Sequence, residues 1–411
     1  MSATLPEPFA GRQEVAVVRH PIADARNNVV GYELRFGGAV DLGDPAMDAK
    51  ATSALLVEAF GDIGLEMLAG RHPAWINIAR NFLVEIGPPP VRPDRAVLQI
   101  KAYHAREDLL QILQKLTRSG YTIALDEYDG TPSDNVEELM TLCSIVKVDV
   151  SAVGLDALPS VLRRPKLQGA LLVATEVPDH AAFEVCRELG FSYFEGEYFA
   201  RPRVFKHRGV ATAGLGSLRR LSELTAGDVS FEDLERIIAS DVGLSLKLLR
   251  YINSAFFALP RTVGSVREAL SMLGVRTVRR WATVMTISAI PDVPDELVGL
   301  GLRRAHMCEI LAGSALPEER ETLFTIGLFS VADALLSAPM DEVLKSLPFT
   351  DEIQTALLRR DGPKGELLAA VCAYERGEFP TLTPVDTQTP SLAGAYRAAL
   401  EWADDAGRAI A

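Results

Sequence analysis

The stretch TIALDEYDG, residues 122–130, is apolar through Leu125 and then carries Asp126, Glu127 and Asp129 within four positions. A short apolar run bounded by turn residues reads as a buried strand. Acids gathered where such a strand leaves the core serve a metal or a proton. The architecture of the first half and its candidate chemistry both follow from this segment.

Comparable strands flank it: EVAVVR (14–19), VVGYELRF (29–36), AWINIA (74–79), AVLQIK (96–101), SIVKVDV (144–150), ALLVAT (170–175) and YFEGEYFA (193–200). After the first pair they recur at the interval of a βα unit. Segments between them, such as AREDLLQILQKLTRSG (105–120) and HAAFEVCRELG (180–190), place apolar residues at helical spacing and stop at Gly120 and Gly190. Eight strands with helical crossovers predict a compact, TIM-like (β/α) barrel. From about Val210 the strand pattern vanishes. SFEDLERIIASD sets Leu234, Ile237 and Ile238 on one helix face behind Ser230 as N-cap. Ser265 and Glu268 have capping-box spacing, Gly274 ends that helix, and Val278, Trp281 and Met285 share a face. The expected fold class is therefore α/β plus all-α. The barrel is expected over residues 14–202, a linker over 203–209 and an all-helical domain over 210–395. The basic segment RPRVFKHRG (201–209) spans at most about 30 Å, which favours two domains in fixed contact.

The 411 residues call for two or three domains, and 48% hydrophobic residues supply ample core. A net charge of −13 argues against nucleic acid or anionic membrane as partner. Cys143, Cys186, Cys308 and Cys372 fit neither a disulfide framework nor a zinc spacing, so reduced thiols in a cytoplasmic protein are expected. No apolar run reaches the roughly 18 residues of a membrane span, and no signal peptide is apparent at the N-terminus.

The first half resembles an EAL domain, the barrel phosphodiesterase that linearises cyclic di-GMP. The second half resembles an HDOD domain, a helical relative of HD phosphohydrolases without their metal ligands. The HDOD resemblance rests on DVGLSLKLLRYINSAFF (241–257), SVREALSMLGVRTVRRW (265–281) and GLFSVADALLSAPMDEVL (327–344). The two resemblances together cover roughly residues 14–395.

The EAL resemblance implies two divalent cations and an attacking water, held by several anionic ligands because the cations repel each other. Its signature glutamate falls on Glu33, its asparagine on Asn77, its paired aspartates on Asp126 and Glu127, and its lysine on Lys147. Two further glutamates become Gln99 and Thr175, and a late glutamine becomes Glu195. Of the five acids the resemblance implies, Glu33, Asp126 and Glu127 remain acidic, and Glu127 is one methylene too long. Misplacement by about 1 Å can cost on the order of a hundredfold in rate. Glu176 is out of register, because a one-residue slip turns a side chain to the other strand face. The catalytic set therefore reads as vestigial, with no metal or cofactor expected and Mg or Mn required only if the site is active.

Arg35 lies two residues past Glu33 and Lys101 two past Gln99, each on its neighbour's strand face. With Lys147 they bring cations to the barrel mouth, either as a structural ion network or as a holder of phosphate groups. The leading expectation is a non-catalytic signalling protein whose HDOD domain binds an unidentified signalling protein. The alternatives are a weakly active cyclic di-GMP phosphodiesterase and a metal-independent cyclic di-GMP receptor. Elsewhere, His306 is the single histidine of the helical half and is read as a packing residue. Arg276, Arg279 and Arg280 are read as a solvated basic stripe, with an acidic partner as the alternative. GAVDLGD (38–44) and GPPPVRPD (87–94) lack phosphate-cradle spacing.

Overall fold

The computed structural model describes residues 16–37, 64–102, 105–131, 133–163, 169–200, 212–226, 229–253, 261–290, 293–313, 319–378, 380 and 389–410. Among them eight strands close into a barrel in chain order. They are β1 (Ala16–Asp24), β2 (Val29–Gly37), β3 (Ala74–Asn77), β4 (Ala96–Lys101), β5 (Thr122–Asp126), β6 (Ile145–Asp149), β7 (Leu171–Thr175) and β8 (Tyr193–Phe194). From β2 to β8 neighbours run parallel, whereas β1 is antiparallel to both β2 and β8. A tight turn makes the first hairpin. Asp24 Oδ1 accepts the backbone N–H groups of Arg26 (2.8 Å) and Asn28 (2.9 Å), and Asn27 takes the left-handed conformation it tolerates.

Two strands depart most from the sequence-based boundaries, the others by one or two residues at most. β1 continues past Arg19 to Asp24, through His20 and Pro21, and the loop-like look of that dipeptide hid the second half of the strand. Pro21 sits opposite Tyr32 while β8 covers only Ala23 and Asp24, a partly open edge where proline is tolerated. β8 ends after two residues, and a 3₁₀ turn at Glu197–Ala200 replaces the expected continuation. The chain bends at Gly196, whose φ of 147° is open to glycine and where a Cβ would stand 2.4 Å from the Val177 backbone.

The crossovers carry α1 (Leu65–Ala69), α2 (Arg80–Glu85), α3 (Glu107–Arg118), α4 (Asp134–Leu142), α5 (Val150–Val153), α6 (Leu158–Leu162) and α7 (His180–Glu188). Strand alternation sorts the barrel interior into layers. The lower layer is apolar: Ile22, Trp75, Val97, Ala124, Ile145 and Val173 form one buried cluster. Two residues further along each strand the interior turns polar, and there Glu33, Gln99, Asp126, Lys147 and Thr175 are all buried.

The rest of the described chain is helical: α8 (Thr212–Thr225), α9 (Phe231–Ala239), α10 (Val242–Ile252), α11 (Val266–Ile287), α12 (Asp295–Leu311), α13 (Glu319–Phe329), α14 (Ala332–Leu336), α15 (Met340–Lys345), α16 (Asp351–Arg359), α17 (Gly362–Glu375) and α18 (Leu392–Ile410). Ser230 and Ser265 cap as their spacing requires, accepting the N–H groups of Asp233 and Glu268 at 3.1 Å each. The Glu268 carboxylate takes the N–H of Gly264 at 2.8 Å, one residue before the position a strict capping box uses. Gly274 breaks α11 with φ 81° and ψ 156°, so two helical segments meet at a kink where the sequence places a stop.

Barrel and helices share a buried contact that is largely ionic. The Arg19 guanidinium donates to Asp404 at 2.8 and 3.2 Å and lies 4.3 Å from the Tyr32 ring centroid. Its backbone N–H donates to the Tyr396 hydroxyl at 3.2 Å. The Tyr32 hydroxyl donates to Glu296 at 2.9 Å, and Arg303 donates to the same carboxylate at 2.8 Å. Burial opposes ionisation of Glu296, but Arg303 and Arg19 outweigh it and hold the carboxyl below its ordinary range. The linker segment 203–209 lies outside the described residues.

Candidate functional site

The polar layer at the C-terminal ends of the strands brings most of the sequence-predicted residues together. Lys147, on β6, is 1% exposed and reaches across the barrel. Its Nζ donates to Glu33 Oε2 and to Gln99 Oε1, both at 2.5 Å. Asp126 and Glu195 stand 3.5 and 3.4 Å from the same nitrogen. Burial alone would strip its proton, but the charges of Asp126, Glu33 and Glu195 reverse this and keep the ammonium charged.

Arg35 caps the layer from β2. Its Nη2 donates to Glu195 Oε1 at 2.9 Å and Glu176 Oε1 at 3.0 Å, and its Nε lies 3.4 Å from Glu33 Oε1. Asn77 Nδ2 is 3.5 Å from that Glu33 oxygen. Lys101, at the end of β4, pairs with Glu127 at 3.0 Å on the rim. Thr175 ends β7 opposite Asp149 and is buried.

The two central carboxyls behave oppositely. Burial pushes Glu33 up, yet Lys147 and Arg35 bring it well below the usual carboxylate range. Glu195 is raised, first by burial and then by the charge of Glu33, against the pull of Lys147 and Arg35. One carboxylate is thus firmly ionised beside another that ionises with difficulty.

Two contributors escape sequence reading. Glu176 follows the last residue of β7 with φ 51°, so strand alternation no longer governs it and its carboxylate swings back to Arg35. That corrects the expectation that a one-residue slip removes it from the site. His20 lies opposite Glu33 in the β1–β2 ladder, with Nδ1 3.7 Å from Glu195 and Nε2 2.9 Å from the Glu375 carbonyl of α17. Extending the first strand by one residue would have revealed it.

The residues present do not fit a pair of divalent cations. The guanidinium of Arg35 already bridges Glu33, Glu176 and Glu195, and neutral Gln99 and Thr175 stand at two ligand positions. Glu127 has φ 53° and turns to Lys101, with its side chain 48% exposed. Among the described residues no group of three or more His, Cys, Asp or Glu side chains is arranged to hold a metal. What this arrangement does is fix cations among carboxylates at the mouth of a closed barrel.

An eight-stranded barrel with an antiparallel first strand, its polar layer, and a following helical half define a two-domain EAL–HDOD protein, and the chain belongs to that family. The HDOD domain family matches residues 217–342. The chain is 32% identical over 370 residues to the cyclic di-GMP phosphodiesterase CdgJ of Vibrio cholerae, covering 88% of this chain and 85% of that protein. It is 26% identical over 399 residues to YuxH of Bacillus subtilis, covering 94% of this chain and 98% of that protein. Among solved structures, the EAL domain of FimX from Pseudomonas aeruginosa bound to cyclic di-GMP matches 45% of this chain and 89% of that chain. Its identity is 16% and its TM-score 0.37. Among the described residues no helix is long and apolar enough to cross a membrane.

Proposed function

We propose that this protein is a non-catalytic member of cyclic di-GMP signalling, with a metal-free barrel acting as scaffold or sensor and the HDOD domain as the platform that engages a protein partner. The observation that carries the reading is Arg35, whose guanidinium contacts Glu33, Glu176 and Glu195 within 3.4 Å. A fixed cation there spends the carboxylates a catalytic metal pair would need, and Gln99 and Thr175 supply no replacement charge. The second reading, a weak cyclic di-GMP phosphodiesterase, is favoured by the similarity to CdgJ. A chromatographic assay with Mg²⁺ or Mn²⁺ separates the two. The first reading expects no linear dinucleotide above the no-enzyme control. Product accumulating at about one turnover per second, within the ordinary enzyme range, overturns it. Calorimetry with cyclic di-GMP in chelator then tests the barrel as a metal-independent receptor through Arg35, Lys101 and Lys147.

A further inference from the structure

The helical half carries a second charged cleft, independent of the barrel mouth. It opens between α8, α11, α12 and α13 and is lined by Arg276, Arg279, Arg280, Arg320, Glu309 and Phe324 among others. Arg279 and Arg280 of α11 thus depart from the solvated-stripe reading, while Arg276 keeps to it. Arg279 pairs with Glu321 and donates to the Ala226 carbonyl at 3.2 Å. Arg280 donates to both oxygens of Glu309 at 2.6 Å and lies 5.9 and 5.4 Å from the ring centroids of Phe324 and Trp402.

Those two pairs consume the carboxylates and leave two cations over. Arg320 reaches Glu309 only at 3.9 Å, and its Nε is buried with no hydrogen-bond partner among the described residues. Arg276 is exposed at the mouth and forms no ion pair among the described residues. Four guanidinium groups therefore face two carboxylates, a local surplus of two positive charges on a chain of net charge −13. An unsatisfied buried donor is unfavourable, and a guanidinium fork matches the oxygens of a phosphate. The Glu309 and Glu321 pairs fix Arg280 and Arg279 in the wall of the cleft.

We propose that this cleft binds the phosphate group of a small phosphorylated molecule, with Arg320 and Arg276 as its ligands and the Phe324–Trp402 wall beside it. The charge surplus selects a dianion, and the aromatic wall suits a nucleoside monophosphate over bare phosphate.

Isothermal titration of the full chain with inorganic phosphate, ribose 5-phosphate and AMP tests this. At least one probe is expected to bind, at least about tenfold more weakly in Arg276→Ala/Arg320→Ala, and within about twofold of wild type in Arg35→Leu. Preference for AMP assigns a nucleotide, and equal binding of all three assigns free phosphate; both support the site. If the double variant does not fold by circular dichroism, the single exposed change Arg276→Glu must weaken binding in its place. No binding of any probe up to about 10 mM, or binding only of an acidic peptide, overturns the proposal. So does binding that survives the α11–α13 variants and disappears with Arg35→Leu.

Discussion

Replacing Lys147 by methionine keeps an apolar stem in the barrel and deletes the charge on which the polar layer is organised. Lys147 is 1% exposed and its nitrogen lies within 3.5 Å of Glu33, Gln99, Asp126 and Glu195. Removing one partner of a buried pair costs about 3–5 kcal/mol, because the other charge is left uncompensated. For a domain of this size the melting temperature should fall by roughly 6–20 °C. The loss should depend on pH, and its sign follows from Glu33. In the wild type Glu33 is depressed, so its contribution is present above the unfolded carboxylate pKa of about 4.3 and is lost as pH falls through the lower folded value. Without Lys147, burial raises Glu33 and the folded variant binds more protons than the unfolded chain. Its stability therefore drops as pH rises, and the penalty is larger at about pH 8 than at about pH 5. Urea denaturation followed by circular dichroism measures both. Adding Glu33→Gln to Lys147→Met should recover part of the loss, since one uncompensated charge disappears. A penalty below about 1 kcal/mol, or one equal at both pH values, would refute the argument that these carboxylates depend on the ammonium.

Three further outcomes are expected. Glu296→Ala leaves Arg303 and the Tyr32 hydroxyl without their buried acceptor, and should cost about 3–5 kcal/mol and broaden the small-angle scattering envelope; an unchanged melt with one compact envelope contradicts the interface described. Combining Gln99→Glu, Thr175→Glu and Glu127→Asp with Arg35→Leu should confer Mn²⁺ binding detectable by calorimetry, whereas the three restorations without the Arg35 change should bind less; equal binding would show that Arg35 does not compete. All four cysteines are buried, and burial pushes the thiols of Cys143 and Cys186 up to about 12 and about 11, so Ellman's reagent should label them only on denaturation. Fast labelling of the native chain would contradict that packing.

The barrel was legible because strands and glycine-stopped helices alternate, and the helical half because its apolar spacing changes period. Alternation along β2 and β4 also placed Arg35 and Lys101 at the mouth, since both lie inside regular strands. Glu176 and Glu127 were beyond that logic. Each follows the last residue of its strand with positive φ, where side-chain direction is set by the turn and by the guanidinium or ammonium it meets. His20 was hidden by Pro21, which resembles a boundary in sequence and is a ladder position in space. The cleft around Arg320 needed four helices to meet, and no local pattern announces that.

Arg19 and Asp404 are separated by 385 residues, the first strand gripped by the last helix. At about 5–20 residues per second a ribosome delivers the second partner roughly 20–80 s after the first. For that time the Arg19 guanidinium has the Leu68 carbonyl and the Tyr32 ring but no carboxylate to balance its charge. A truncation that removes Asp404 therefore acts on β1. A stop codon within α18 before Asp404 should appear first as a nascent barrel that chaperones and proteases find unfinished.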